Sequence, residues 1–335
     1  MSKKLLLGST ALVGAFALAT PALADIDVTL SGQVEFGGSA ADEETIDDGR
    51  GYFFFMDSET NIEAEGAADN GINYSSKVEL EVDADGDGGD VNADEARLAF
   101  WGGFGRVELG REDGAADNMF VGGEDFQAGT GGIDGDPANL DLPGVNDTGD
   151  AAKVTYFTPR VGGFQLGASF APDDNNDDVE TDSDDDAGDF EEFIEVGANF
   201  TTSAGGADVT LTAVGAFGDA EVGGDDREDW GIGGGVEFGG IGVGAGYTRQ
   251  EDADEGDGFT VGAKYGFGPA NVSVGYSYDN PDVGDETGVL VFSGDYGLFP
   301  GVTLKGDLAF NDDDDDTGGA DDSTTAGVVT LQLDY

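Results

Sequence analysis

The sequence is dominated by runs of about ten residues in which apolar and polar side chains alternate. In the first run, residues 26–36, Ile26, Val28, Leu30 and Phe36 share one parity, and polar residues occupy most positions of the other. Successive side chains of a β-strand point to opposite faces, so each run predicts a strand with one apolar and one polar face.

Sixteen such runs follow one another from residue 26 to residue 335, and none has a sustained helical period. Their connections alternate between short glycine-rich turns and long acidic loops, of which residues 113–150 form the longest. An even number of alternating strands is typical of barrels that cross a bilayer. We therefore predict an all-β fold over residues 25–335: a transmembrane antiparallel β-barrel of 16 strands, with long extracellular loops and short periplasmic turns.

Charge and composition exclude several classes of function. The chain has 72 acidic and 13 basic residues, no histidine and no cysteine, and its formal net charge is −59. Nucleic acid is excluded as a partner because phosphate recognition needs basic patches. Without histidine or cysteine the chain lacks the commonest catalytic base and any thiolate, so we predict that it is not an enzyme.

The carboxylates are also segregated along the chain. Most lie in the long loops, one (Asp69) lies in a short turn, and the others fall on the polar parity of the strands. A carboxylate that faces lipid at mid-depth is costly, so a bilayer would enforce this distribution.

The first 24 residues have the layout of a secretory signal peptide. A basic start, MSKK, precedes a mostly apolar stretch, and the small residues Ala22–Ala24 form a cleavage site. We predict cleavage after Ala24 and export of the remaining chain.

Glycine clusters interrupt two neighbouring strands, in GIGGGVEFGG (231–240) and IGVGAGY (241–247). No helical pattern follows them, so they do not favour a dinucleotide-binding loop. We predict that they allow bends and a close approach of neighbouring strands.

Three stretches resemble the general diffusion porins of Gram-negative bacteria, the family of sixteen-stranded trimeric channels. EARLAFWGGFGRVELGRED (95–113) resembles the family's fourth and fifth strands, and KVTYFTP and GGFQLGASF resemble the sixth and seventh. The resemblance implies a passive channel for small hydrophilic solutes and ions in the outer membrane. It also implies a homotrimer in contact with outer-membrane lipid and no required cofactor.

The resemblance further implies that residues 113–150 fold inward and narrow the pore. Acidic residues of this loop would then face basic residues of the wall. Arg111 matches a basic position of the family, Lys153 occupies another, and Lys77 and Arg97 point inward by parity. The second strand departs from the family, with Asn61 and Glu65 where relatives carry inward basic residues, so we predict a preference for cations. The acidic residues in question are Glu124, Asp125, Asp134, Asp136 and Asp141.

The C-terminus resembles the family's outer-membrane assembly signal. Val329, Leu331, Leu333 and Tyr335 alternate with polar residues, and the chain stops on an aromatic ring. Phenylalanine is the more usual last residue of the family, so Tyr335 is a departure. The resemblance implies that the assembly machinery is a partner.

One acidic loop is close to a calcium-binding pattern. Asp83, Asp85, Asp87 and Asp94 have the spacing of ligands in an EF-hand loop, although strands rather than helices flank them. Calcium at the acidic loops is therefore a second prediction.

Calcium binding also keeps open an alternative function, a secreted calcium-dependent acidic β protein of the surface or adhesion type. This alternative does not explain the apolar strand faces. Heat-modifiable migration on a detergent gel would distinguish the two.

Overall fold

The computed structural model describes residues 26–41, 51–82, 91–130, 145, 148–173, 190–220, 225–251, 255–282, 286–314 and 322–335. The proposed leader, residues 1–24, lies outside them. No helix in the described ranges is long and apolar enough to cross a bilayer.

The described chain contains sixteen β-strands, as predicted. They are β1 (Asp27–Ala41), β2 (Tyr52–Ala67), β3 (Asn73–Val82), β4 (Val91–Gly102), β5 (Gly105–Arg111), β6 (Ala152–Phe157), β7 (Phe164–Asp173), β8 (Phe190–Ala204), β9 (Ala207–Ala220), β10 (Arg227–Phe238), β11 (Ile241–Gln250), β12 (Gly256–Phe267), β13 (Ala270–Pro281), β14 (Glu286–Phe299), β15 (Val302–Asp314) and β16 (Asp322–Asp334).

The strands form one closed antiparallel barrel, which confirms the predicted fold class. Each strand pairs with its neighbours in sequence, and β1 also pairs with β16. Several strands extend beyond the alternating pattern towards the long connections: β1 continues to Ala41 and β15 to Asp314. In these extensions the backbone hydrogen bonds between strands continue although apolar and polar residues no longer alternate. Backbone pairing does not depend on whether a face of the strand contacts lipid or water.

Glycine makes the short turns possible. In the β8–β9 turn Gly205 and Gly206 have φ angles of 63° and 85°, and Gly239 and Gly240 of the β10–β11 turn have 61° and 84°. Two consecutive residues with positive φ form the two-residue hairpin turn whose twist matches the flanking strands. The glycine content of the short turns follows from this geometry.

The two faces of the barrel have opposite chemistry. Large apolar side chains of one parity are exposed, and Val28 and Phe54 keep 68% and 73% of their surface. The opposite parity carries buried polar side chains such as Glu35, Ser75 and Glu108. An apolar outer band with a polar interior is the arrangement that places strands in lipid.

The seam between the first and last strands is closed by the terminal tyrosine. Tyr335 N donates to Gly32 O at 3.0 Å, and Gly32 N donates to Tyr335 O at 3.1 Å. The Tyr335 hydroxyl lies 2.8 Å from Thr60 Oγ1 on β2, so its side chain crosses β1 at Gly32. The hydroxyl, which the more usual phenylalanine would lack, therefore adds a contact across the seam.

We expect Gly32→Ala to weaken the barrel at this seam. A Cβ at Gly32 would lie 2.2 Å from the main-chain oxygen of Glu59 and 2.8 Å from the Tyr335 hydroxyl, so backbone must shift. Overpacking of this kind lowers the free energy of unfolding by about 1–3 kcal/mol. Urea unfolding of the refolded barrel in lipid vesicles, followed by tryptophan fluorescence, measures the loss.

Gly294→Ala on β14 is the matched control, because its Cβ would lie 3.4 Å from the nearest atom, Asn271 O. Equal unfolding midpoints for the two variants would contradict the role assigned to the seam.

Candidate functional site

The segment after β5 contacts the inner face of the barrel over much of its circumference. It contains two short 3-10 helices, Asp117–Met119 and Glu124–Phe126. Its main-chain N–H groups donate to side chains of β7, β8, β9, β12, β13 and β15. The pairs are Ala115 N with Ser169 Oγ (3.0 Å), Ala116 N with Glu195 Oε2 (3.0 Å), Val121 N with Thr212 Oγ1 (3.3 Å), Gly123 N with Thr260 Oγ1 (2.7 Å), Ala128 N with Ser273 Oγ (2.8 Å) and Thr130 N with Asp307 Oδ2 (2.8 Å).

Only the interior of a closed barrel brings these six strands within reach of one short segment. Residues 114–130, called the inner segment below, therefore lie inside the barrel. A segment without regular secondary structure must find acceptors for its N–H groups outside itself. Inward serine and threonine hydroxyls supply most of them, and Thr260 also donates to Glu124 Oε2 at 2.6 Å.

Glu195 joins the two ends of the loop to β8. This side chain is 1% exposed, and it accepts from Ala116 N at the start of the inner segment and from Thr148 Oγ1, at 3.0 Å, where the loop returns. Lys153 Nζ lies 4.0 Å from Glu195 Oε1 and also donates to Gly149 O. A buried carboxylate is tolerated when it is hydrogen-bonded and paired, and Glu195 meets both conditions.

Three of the four predicted basic residues lie in one row across strands β3 to β6, a part of the wall separate from the six strands that bind the inner segment. Lys77 is paired with Arg97, Arg97 with Gly110, and Gly110 with Lys153, on β3 to β6. On β2 the row continues to Glu63, which pairs with Lys77. Lys77, Arg97, Gly110 and Lys153 are called the basic row below.

Carboxylates neutralise two members of the basic row, Lys77 and Arg97. Lys77 Nζ lies 2.7 Å from Glu79 Oε2 and also contacts Glu95. Arg97 contacts Glu112, and its Nη1 lies 3.5 Å from Glu108 Oε1. Like charges on opposed positions of neighbouring strands are destabilising, so these carboxylates allow Lys77 and Arg97 to stand side by side.

The other predicted wall residues lie elsewhere. Arg111 pairs with Ala96 and Ala152, one position off the basic row, and its Nε donates to Asp150 O at 3.1 Å. Asn61 donates to Glu59 Oε1 on the same strand. Glu65 is exposed and lies near the β2–β3 turn.

Of the loop carboxylates predicted to face the basic wall, Glu124 contacts β12 and Asp125 forms a hydrogen bond within the loop. Glu124 accepts from Thr260, and Asp125 Oδ2 accepts from Gly122 N at 2.8 Å. Lys264 of β12 donates to the main-chain oxygen of Asp125 at 3.5 Å. The predicted residues Asp134, Asp136 and Asp141 lie outside the described part of the chain.

Carboxylates next to the basic row are partly buried. Burial raises the pKa of Glu112 to about 7, against the attraction of Arg97. Burial, with the charges of Asp94 and Asp113, raises the pKa of Asp150 to about 6. Away from the basic row, against β12, burial also raises the pKa of Glu124. A carboxyl in a low-dielectric setting disfavours its charged form, so these groups take up protons closer to neutrality than ordinary carboxyls do.

A cluster of three carboxylate side chains could hold a cation. Glu95, Asp113 and Asp150 place one oxygen each within 4.8 Å of the others. Of the predicted calcium ligands, Asp94 is the neighbour of Glu95 on β4, while Asp83, Asp85 and Asp87 lie outside the described residues.

Sequence reasoning missed the residues that hold the inner segment. Glu195, Thr260 and Asp307 act as acceptors for a loop that is distant in sequence. Their parity shows that they face inward, but parity does not indicate which segment covers them. The glycine clusters of β10 and β11 were the one signal in the sequence that could have indicated where the loop packs, because they leave room for it on this part of the wall.

Comparisons with known proteins give one family and one fold. The family model described as Gram-negative porin matches residues 8–316. An anion-selective porin from Comamonas acidovorans is 18% identical with a TM-score of 0.70, covering 93% of this chain and 100% of that one. A triple mutant of the Rhodopseudomonas blastica porin is 17% identical with a TM-score of 0.67, covering 92% and 100%. A search of curated proteins found no match.

We expect Glu195→Ala to release the base of the loop. The substitution removes the acceptor of both loop ends and leaves the buried Lys153 without its carboxylate. Breaking one partner of a buried ion pair costs about 3–5 kcal/mol. Urea unfolding measures this cost, and limited proteolysis within residues 113–150 measures the release. Glu237→Ala, which removes an exposed carboxylate of β10, is the control. Equal protease resistance of the two variants would refute the role of Glu195.

Proposed function

This chain belongs to the Gram-negative porin family and is therefore a diffusion channel of the outer membrane; we propose that it prefers cations. Flow through it is passive, driven by the gradient of each small hydrophilic solute or ion, and the chain catalyses no reaction. The arrangement of charge on its inner wall supports this proposal.

The position of the inner segment supports a passage on one side of the lumen. The segment covers the inner wall from β7 to β15, so solutes pass between it and the wall of β2 to β6. In this proposal residues 113–150 are the constriction loop, which carries Glu124 and Asp125 and, beyond the described residues, Asp134, Asp136 and Asp141. Lys77 and Arg97 lie on the facing wall, with Asn61 and Glu65 on β2, while Arg111 and Lys153 lie beside the base of the loop.

An excess of carboxylates on the facing wall is the observation that carries the proposed selectivity. Basic side chains on the inward parity of β2 to β5 each contact a carboxylate: Lys77 contacts Glu79, and Arg97 and Arg106 contact Glu108. Further carboxylates of the same parity remain, so the facing wall is negative. Rings of carboxylates concentrate cations in a channel. The inward carboxylates of β2 to β5 are Asp57, Glu59, Glu63, Glu65, Glu79, Glu81, Glu95 and Glu108.

The similarity to an anion-selective porin does not decide the selectivity of this chain. At 18% identity the two proteins share a fold. Selectivity depends on the charges that line the passage, and here these are the carboxylates of β2 to β5.

Several further features belong to the proposal. Residues 1–24 are removed on export, the channel is a homotrimer in outer-membrane lipid, and the assembly machinery reads Val329, Leu331, Leu333 and Tyr335. Calcium binds weakly at the acidic loops, where Asp113 and Asp150 of the long loop and Glu95 of β4 offer oxygens, the ligand that calcium prefers. The alternative of a secreted calcium-dependent surface protein is disfavoured, because the barrel exposes an apolar outer face.

We expect a cation-selective reversal potential for the refolded mature protein in a planar bilayer under a salt gradient. Glu59→Gln with Glu63→Gln should shift this potential towards zero, because two charges are removed from the facing wall. Asp225→Asn with Glu228→Gln removes the same charge from two exposed positions, one just before β10 and one at its start, and should leave the potential unchanged. Stepwise conductance with an anion-selective potential would refute the proposed selectivity, and absence of conductance from a folded sample would refute the channel.

We expect cation selectivity to fall as the pH is lowered from 8 to 5.5 at constant ionic strength. Carboxyls with raised pKa values are charged above those values and neutral below them, so Glu112 loses its charge near pH 7 and Asp150 near pH 6. The variant with Glu112→Gln and Asp150→Asn should show a flatter dependence in this window. A selectivity that stays constant down to pH 5 in the unmodified channel would contradict this expectation.

A further inference from the structure

Three apolar side chains of the inner segment rest on a part of the wall where many inward positions are glycine. These side chains, Met119, Phe120 and Phe126, lie over glycines of the inward parity of β7, β8, β10, β11 and β12. The glycines in question are Gly167, Gly197, Gly231, Gly235, Gly242, Gly244, Gly246 and Gly262.

Phe126 makes the closest of these contacts. A Cβ on Gly235 or on Gly244 would lie 2.1 Å from an atom of the Phe126 ring, and a Cβ on Gly242 would lie 2.7 Å away. Gly235 pairs with Gly244, and Gly244 pairs with Gly262. These paired glycines form a flat floor across three strands, and the ring that lies on it is 7% exposed.

Met119 and Phe120 pack on glycines in the same way, over smaller areas of the wall. Gly167 of β7 pairs with Gly197 of β8, and a Cβ on either would lie 2.6 or 2.7 Å from Met119 Sδ. A Cβ on Gly246 would lie 2.8 Å from the Phe120 ring.

The main chain of the inner segment also approaches glycine directly. A Cβ on Gly233 would lie 2.1 Å from Val121 O, and a Cβ on Gly262 would lie 2.0 Å from Gly123 O. Backbone therefore packs on backbone along β10 to β12, and the segment lies closer to this wall than any layer of intervening side chains would allow.

The glycines do more than permit bending of the strands. A glycine needed only for a bend would leave open space where its Cβ is missing, as at Gly294, whose nearest neighbour would be 3.4 Å away. At Gly235 and Gly244 the space is filled by Phe126. The sequence analysis predicted that these glycines allow bends and a close approach of neighbouring strands. It did not identify the loop as the segment that packs on them.

We propose that Phe126, seated on Gly235, Gly244 and Gly262, is the positioning residue that sets the distance of the constriction loop from the β10–β12 wall. This inference rests on the proposed channel function. With the loop held against one wall, the open lumen lies on the side of the basic row. The ring and the glycine floor together determine the width of the passage.

The test is a size swap between the ring and its seat, read out as single-channel conductance of the refolded protein in planar bilayers. Gly244→Val pushes the ring and the loop away from the wall, so conductance should fall. Phe126→Ala combined with Gly244→Val removes the contact with the ring and leaves the contact of the added Cβ with Gly122 O (2.6 Å), so conductance should be restored in part. Gly294→Val places the same side chain on the outer face of β14 and is the control.

Phe126→Ala alone adds no bulk and tests the proposal even if Gly244→Val does not fold. Without its anchor the loop should move, which broadens open-channel current fluctuations and speeds proteolysis within residues 113–150. Unchanged conductance of a folded Gly244→Val channel, or unchanged fluctuations in Phe126→Ala, would overturn the role of Phe126. Failure of the channel function itself has a separate signature, because the unmodified protein would then show no stepwise conductance.

Discussion

Hydrogen bonding of the backbone within lipid is the constraint on which the rest of this structure depends. A bilayer offers no water to unpaired N–H and C=O groups, so strands can cross it only when every edge is paired. Pairing of β1 with β16 removes the last edges. Once the barrel is closed, each strand has one face in lipid and one inside, and the two parities are free to acquire opposite chemistry. The exposed apolar face that includes Val28 and Phe54 and the buried polar face that includes Glu35 and Glu108 follow from closure.

The fold was predictable because closure leaves a local signature. Alternation within about ten residues identifies each strand, and the inward or outward direction of Lys77 or Leu98 follows from position alone. The contacts that hold the inner segment have no local signature. Thr130 binds Asp307 across 177 positions, and Gly123 binds Thr260 across 137. Parity shows that Thr260 and Asp307 face the lumen, but what covers them depends on the path of a loop.

The candidate site was predictable to a similar extent. Direction by parity placed Lys77 and Arg97 inside, and the register then brought them side by side with Lys153 in one row. The partners of these bases could not be read from the sequence. Lys153 lies against Glu195, which belongs to β8 and supports the loop, so its charge serves the loop as well as the wall. The residue type and its parity therefore show on which face of the barrel a charge lies, but they do not show which residue of opposite charge contacts it.

The inner wall has two parts that differ in charge and in their contact with the loop. Along β7 to β15 the loop is held mainly by hydroxyls and by a glycine floor, which carry no net charge and allow close contact. Along β2 to β5 the wall carries an excess of carboxylates and no covering segment among the described residues. The electric field of the wall charges acts over short distances in a water-filled passage, because salt screens charges over about 10 Å at 0.1 M. In the proposed channel, the distance between loop and carboxylate wall decides how strongly the wall attracts cations, and the proposed seat under Phe126 controls that distance.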